Sequence, residues 1–303
     1  MKRESAVAIL LALALSLPAL AAVNGSFERT LKVSGPVQLE VKTGSGDIHV
    51  RKGDDGSVRV YGKIRASEGF FTGTEEVREK VRRLEQNPPI EQSGNRIRIG
   101  FVEDHELFNN VSISYEIVVP AETQVTANTG SGNMEVERVH GAAKLHSGSG
   151  NVTASNIDGD VDAQAGSGAI ELSVISGNAV AHTGSGHIKL ERVSGVDAHT
   201  GSGGINILDM KGRLRAHAGS GDITAEGAPT GEWNVETGSG SVTLRLTGSG
   251  GFDFHARTGS GGIESDLPIT ISGRQDRHEI SGKIRGGGPM IDVRTGSGRV
   301  HLQ

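Results

Sequence analysis

The sequence predicts an all-β fold, a parallel β-solenoid with about 18 residues in each coil and a small helix-plus-hairpin insertion. The tripeptide G-S-G occurs eleven times, and its regular copies begin at Gly130, Gly148, Gly166, Gly184, Gly201, Gly219 and Gly238. Between the copies, apolar residues alternate with polar ones, which is typical of strands with one buried face. A nearly constant period below about 20 residues is too short for helix-pair repeats or propeller blades and indicates solenoid coils.

The first element is a predicted secretory signal peptide over residues 1–21, followed by a single elongated domain over residues 22–303. Lys2 and Arg3 precede a short apolar run, and small residues around Ala21 mark a cleavage site. No later segment is apolar enough to span a bilayer, and the chain has no cysteine. We therefore expect an exported protein, either periplasmic or extracellular at the cell surface.

Residues 68–115 interrupt the repeat and predict a helix and a hairpin that insert into the solenoid or cap it. Within residues 72–86, Val77, Val81 and Leu84 fall on one face of a helix. Two alternating segments follow, R-I-R-I-G-F-V and S-I-S-Y-E-I-V-V-P. A repeat array needs such a cap because a bare terminal coil exposes an apolar, unpaired edge.

Residues 125–261 predict the regular coils, each made of two short strands and two corners. The second residue after G-S-G is apolar, as at Ile188 and Ile205, and the alternation resumes after a second glycine corner. We expect these residues to fill a narrow interior and the glycines to allow positive φ at the corners. We also expect the serines of G-S-G to hydrogen-bond along the solenoid axis. The copy at Gly248 breaks the period and predicts a loop.

The last element, residues 262–303, predicts irregular terminal coils. The chain ends in R-V-H-L-Q, in which Val300 and Leu302 match the first strand of a new coil. An unpaired strand at this point would invite strand addition. We therefore expect end-to-end self-association that depends on residues 296–303.

The sequence resembles the bacterial putative-adhesin family. The resemblance rests on the N-terminal signal, an F-x-x-T-L-x-V strand from Phe27, the strand Y-E-I-V-V-P-A from Tyr115, and the serial T-G-S-G-x-I repeats, and it covers residues 25–303. It implies an exported β-solenoid and brings no catalytic residues with it. The expected function is a non-catalytic adhesin-like or structural binding module of the bacterial cell envelope, whose repetitive surface contacts a polymer or a protein partner.

Other functions fit the residues less well. A phosphate loop needs a helix directly after its glycines, and a strand follows G-S-G here. Calcium-binding β-rolls place an aspartate where this chain has Ile188 and Ile205, and a net charge of −5 gives no overall attraction to nucleic acid. The rival class is a polysaccharide-active β-helix hydrolase or lyase, which needs carboxylates converging in a loop-built cleft. No such cluster is recognisable, so we expect no enzyme and no cofactor.

One outward column of residues is the candidate site. Down the predicted stack it reads His146, Gln164, His182, His199, His217 and Glu236. Three consecutive coils thus place imidazoles roughly 4.8 Å apart, and neutral imidazole is a common ligand of transition metals. His182, His199 and His217 are therefore the candidate metal ligands. The alternative is an exposed ladder of polar side chains whose imidazoles repel one another when charged.

Overall fold

The computed structural model describes residues 22–67, 74–101, 108–271 and 276–303. The predicted signal peptide, residues 68–73 and residues 102–107 of the predicted insertion lie outside the described residues. The described chain is all-β with one helix, α1 (Thr74–Gln86), and no helix in it is long and apolar enough to cross a membrane. The strands are β1 (Ala22–Lys32), β2 (Val37–Thr43), β3 (Ile48–Lys52), β4 (Ser57–Ser67), β5 (Ile90–Ser93), β6 (Arg96–Ile99), β7 (Val111–Val119), β8 (Thr123–Thr129), β9 (Met134–Glu137), β10 (Ala143–Ser147), β11 (Val152–Ile157), β12 (Val161–Ala165), β13 (Ile170–Thr183), β14 (Ile188–Thr200), β15 (Ile205–Lys211), β16 (Leu214–Ala218), β17 (Ile223–Ala228), β18 (Trp233–Thr237), β19 (Val242–Leu246), β20 (Phe252–Thr258), β21 (Ile263–Ser265), β22 (Thr270–Ile271), β23 (Glu279–Ile284), β24 (Met290–Thr295) and β25 (Val300–Leu302).

These strands form two ladders whose buried faces share one hydrophobic core. The first ladder runs β1-β4-β7-β3-β9-β11-β13-β14-β15-β17-β19-β25-β21, and the second runs β5-β6-β2-β8-β10-β12-β13-β14-β16-β18-β24-β20-β23-β22. β13 and β14 belong to both ladders because each continues through the corner between them. Pairing is parallel along the coils and antiparallel only towards the two ends. The fold is therefore solenoid-like, as the repeat predicts.

The coils stack in the register that the repeat predicts. Val152 pairs with Ile170, Ile170 with Ile188 and Ile188 with Ile205. Ile188 and Ile205 are 1% and 2% exposed, which confirms that their column faces the interior. Small alanines such as Ala181 stand opposite in the second ladder and are fully buried, so the interior is thin.

The G-S-G corner is held by contacts other than those expected from the sequence. In the regular coils none of its glycines has positive φ; instead, a Cβ at Gly150 would overlap the carbonyl oxygen of Gly132 in the preceding coil. In the described residues, the buried threonine column and the column directly after G-S-G supply side-chain hydrogen bonds between coils at this corner, as in Asn151 N donating to Asn133 Oδ1 at 3.0 Å, and the side chains of the G-S-G serines supply none. Thr200 Oγ1 donates to Gly186 O at 2.9 Å and accepts from Gly203 N at 3.1 Å. We call this pair of hydrogen bonds the threonine clip. Thr or Ser forms the same pair at positions 129, 147, 183, 237, 258 and 295.

The second corner carries the positive φ angles of the regular coils, and apart from Gly212 and Gly248 it places them on residues other than glycine. Coil after coil, one residue there is left-handed, namely Arg138, Asn156, Val174, Arg192 and Asp209, with φ between 49° and 56°. The register shifts at this corner, between Ile175 and Asn178, where β13 meets the shorter coil of β14. Differences in coil length are thus absorbed at the second corner.

At both ends of the solenoid, the spatial order of the strands differs from their order in the sequence. At the amino-terminal end, β2 lies between β6 and β8, and β3 lies between β7 and β9, so the earliest coil is the second layer. At the carboxy-terminal end, β24 lies between β18 and β20. β25 pairs with β19 on one side and β21 on the other. The expectation of a free edge at Val300 and Leu302 is therefore wrong, because the end of the chain returns to the sheet and inserts β25 between β19 and β21. Residues 290–302 form a regular layer and not an irregular coil.

Helix α1 packs against β1 and β4 at the amino-terminal end of the first ladder. Val77, Val81 and Leu84 are buried. On the outer edge of β1, Ser26 N donates to Glu85 Oε1 at 3.0 Å, and Gln92 Nε2 donates to Lys32 O at 2.7 Å. Backbone groups that could pair with another strand are thus occupied by side chains.

Candidate functional site

The histidine ladder lies on the outer face of the second ladder, in the strand position directly before the threonine column. The structure confirms the predicted neighbours: His182 pairs with His199, and His199 pairs with His217. The ladder continues to Gln164 on one side and to Glu236 on the other. Thr183 and Thr200 form the clip directly after His182 and His199, whereas Ala218 follows His217. The parallel pairing of the three strands holds the rings at one strand spacing.

Two of the three rings stack, and the third meets its neighbour edge-on. The centroids of His199 and His217 are 4.8 Å apart with an interplanar angle of 6°, whereas His182 meets His199 edge-on at 6.0 Å and 81°. Within the described ranges, no three His, Cys, Asp or Glu side chains are arranged to hold a metal ion. The metal site at His182, His199 and His217 thus stays a prediction. Parallel stacking of His199 on His217 is a poor arrangement for it, because the nitrogen lone pairs lie in the parallel ring planes and do not converge on one point.

Carboxylates at the ladder's flanks balance some of its charge. His182 Nε2 is 3.8 Å from Asp197 Oδ1, and His217 Nδ1 is 3.8 Å from Glu236 Oε2. The central residue behaves differently. Partial burial lowers the pKa of His199 below its ordinary value, and the neighbouring His217 and His182 lower it further, while Asp197 acts in the opposite direction. The middle ring therefore resists protonation.

The ladder belongs to a flat surface that we call the histidine face. It consists of two outward columns of the second ladder between β10 and β18. These are His146, Gln164, His182, His199, His217 and Glu236 in one column and Lys144, Asp162, Val180, Asp197, Arg215 and Asn234 in the other. The columns mix both signs of charge with amide groups, and such a surface suits hydrogen bonding to an extended polar partner more than burial of an apolar one.

A second cluster lies further along the same ladder and was not identified from the sequence. His255 Nδ1 is 2.9 Å from Asp292 Oδ1, and its Nε2 is 3.2 Å from Glu279 Oε1. Arg257 donates to Glu279 at 2.9 Å and, with His255, holds the pKa of that carboxyl below its ordinary range. Aligning the T-G-S-G corners at Thr258 and Thr295 would have placed His255 beside Asp292. The cluster ties β23 to β20 and β24, which gives it a structural role in closing the end.

A large concave surface lies elsewhere, at the amino-terminal end of the first ladder. It is a groove of about 770 Å³ on the outer face of β1, β4, β7 and β3. Tyr61, Lys63 and Arg65 project into it from β4, and Glu116 faces them from β7. Lys63 Nζ lies 2.6 Å from Glu116 Oε1. The sequence predicts no site here, because these residues belong to strands outside the repeat.

The fold defines a class, the solenoid-like all-β domains that are built from stacked two-strand coils. Residues 38–303 match the model of the Toastrack DUF4097 family, and the chain belongs to this family. This family membership bears out the family resemblance that the sequence shows.

One of these structures is a putative cell adhesion protein from Clostridium sporogenes, 13% identical, covering 92% of this chain and 99% of its own, with a TM-score of 0.27. Another is a putative adhesin from Bacteroides fragilis, 14% identical, covering 92% of this chain and 97% of its own, with a TM-score of 0.38. At these TM-scores the two likenesses carry no argument about function. Among curated proteins, none matches this chain.

Proposed function

We propose that the protein is an exported, non-catalytic, adhesin-like or structural binding module of the bacterial envelope. The observation that carries this proposal is the in-register stacking of coils from β8 to β18, which holds outward side chains in straight columns. Solenoids bind through contacts that accumulate along such columns. The histidine face is the surface that we assign to a polymer or protein partner.

The location follows from the same proposal. A signal peptide over residues 1–21 would export the domain to the periplasm or the cell surface. On the carboxy-terminal side, any end-to-end association would use the last strands of the two ladders, β21 and β22, because β25 is paired on both sides. Sedimentation velocity over a range of concentrations would test that association.

The binding test uses the mature chain, residues 22–303, with insoluble polymer prepared from bacterial envelopes. We expect the protein to co-sediment with the polymer without releasing reducing sugar. Arg215→Glu on the histidine face should weaken binding, whereas the same charge change at Arg245 on the first ladder should not. Absence of binding would contradict the proposal, and release of reducing sugar would favour a polysaccharide-active enzyme instead.

A further inference from the structure

We propose that the groove at the amino-terminal end binds a short acidic oligosaccharide, with a ligand carboxylate on Arg65 and a sugar ring against Tyr61. This inference rests on the proposed function, for which it names a ligand class and a second site. The groove is formed where the parallel pairing of β3 with β7 gives way to the antiparallel pairing of β7, β4 and β1. It is therefore a feature of the cap and not of the repeat.

Among the described residues that line the groove, one cation has no ion pair. Lys63 is paired with Glu116 at 2.6 Å, His49 Nε2 lies 2.5 Å from Glu135 Oε2, and Asp47 Oδ1 accepts the backbone N–H of Asn133 at 2.8 Å. Arg65 has neutral neighbours in register, Asn24 on β1 and Ser112 on β7. A ligand carboxylate can reach this exposed guanidinium without displacing any ion pair that is present in the described residues. A bidentate ion pair between guanidinium and carboxylate is strong and directional.

The remaining lining supplies what a sugar needs. Ser26, Ser112 and Ser114 bring hydroxyl groups to the groove. Ser114 Oγ already accepts the backbone N–H of Asp47 at 3.1 Å, so its own proton is free for a ligand oxygen.

Tyr61 presents a half-buried ring beside these hydroxyls, with Lys63 Nζ 5.6 Å from its centroid. An aromatic face next to several polar groups suits the apolar face and hydroxyl rim of a sugar ring. A lipid chain would desolvate the same polar groups without pairing them.

The chain offers a matched control for the arginine. Arg59 lies on β4, on the same outward face as Arg65 and closer to the start of the strand, and it does not line the groove. Arg65→Ala and Arg59→Ala thus remove the same side chain from the same strand, inside and outside the groove. Tyr61→Ala and Tyr61→Phe form a second pair, which separates the ring from the hydroxyl.

The experiment is isothermal titration calorimetry of the mature chain with trigalacturonate and with its trimethyl ester, which keeps the hydroxyl groups but removes the charge. We expect Arg65→Ala to weaken trigalacturonate binding about 10-fold or more, as for loss of a charge-assisted pair. The ester should bind the wild type and Arg65→Ala equally weakly. Arg59→Ala and Tyr61→Phe should bind as the wild type does, and Tyr61→Ala should lose affinity for both ligands.

Two results would overturn the inference: no binding of trigalacturonate by the wild type, or equal losses in Arg65→Ala and Arg59→Ala. Failure of this inference is distinguishable from failure of the proposed function. A chain that co-sediments with envelope polymer but ignores trigalacturonate refutes the groove assignment alone. A chain that binds neither refutes both.

Discussion

Each coil turns twice, and its two corners are built differently. The G-S-G corner repeats almost unchanged, and a Cβ on its second glycine would overlap the backbone of the preceding coil. The other corner varies in sequence and length, and it places residues as different as Arg138, Asn156 and Val174 in the same left-handed conformation. Both corners touch the preceding coil, since Gly159 and Gly177 at the second corner also lie against its backbone, but the G-S-G corner makes the same close contact in coil after coil, whereas the contact at the second corner varies.

This difference between the two corners explains why some residues of the coil recur in the sequence and others do not. The letters that recur, T-G-S-G, are those whose atoms touch the next coil through the threonine clip and the glycine backbone. The positions that vary face solvent or lie at the second corner. The recurring T-G-S-G residues are therefore those that hold neighbouring coils together. Residues that determine ligand specificity are to be sought among the positions that differ from coil to coil.

The largest effect should come from adding one carbon at the G-S-G corner. In Gly150→Ala the new Cβ would overlap Gly132 O, a backbone atom that cannot move without separating two coils. We expect the free energy of unfolding to fall by about 3 kcal/mol, measured by urea unfolding.

The matched control is Gly231→Ala at a second corner, where the nearest atom to a new Cβ is Arg213 N at 3.2 Å. We expect Gly231→Ala to lower the free energy of unfolding by less than about 1 kcal/mol, as is usual for a tolerated substitution. Equal losses in the two variants would remove the distinction between the corners.

The next effect tests the clip itself. Thr200→Val keeps the shape of the side chain but leaves Gly186 O and Gly203 N without their partner in a buried position. We expect a loss of about 2 kcal/mol in the free energy of unfolding. Ser176→Ala, which removes an exposed hydrogen bond to Asp158 at the other corner, should change it by less than about 0.5 kcal/mol. A Thr200→Val variant as stable as the wild type would show that close backbone packing alone holds the corner.

A smaller effect, of opposite sign, is expected at the second corner. Val174 has φ of 56° and is β-branched, so its side chain crowds the backbone in this conformation. Val174→Asn gives the coil the residue that Asn156 provides in the coil before it, and we expect a gain of about 1 kcal/mol in thermal unfolding experiments. Asn156→Val should lose a similar amount. If Val174→Asn destabilises the protein, the left-handed conformation is not what limits this corner.

The sequence predicts the coils well because each coil makes the same contacts as the next. Period, inward columns and the neighbours of His199 all follow from alternation and spacing. The ends could not be predicted in this way. Nothing local in Val300 or Leu302 shows that β25 pairs on both sides, because that pairing depends on the chain passing through β20 to β24 before it returns to β19.

The groove was unpredictable for a related reason. Tyr61, Arg65 and Ser112 come together through antiparallel pairing of strands that share no motif. Pairings between distant, dissimilar segments are set by the tertiary fold, and spacing along the chain carries no sign of them.

The smallest expected effect is a pH dependence of stability that comes from His199 on the histidine face. The pKa of His199 is lowered from 6.5, chiefly by burial and then by its two histidine neighbours, so the unfolded chain binds a proton more readily than the folded one. The contribution of His199 to stability should be complete above pH 6.5 and should decline as the pH falls from there to the lowered pKa. Urea midpoints at a series of pH values should therefore fall less steeply in His199→Gln than in the wild type. His146→Gln is the control, because His146 stands between Asn128 and Gln164 and has no imidazole beside it. If both variants follow the wild-type profile, stacking at 4.8 Å does not couple the rings to folding.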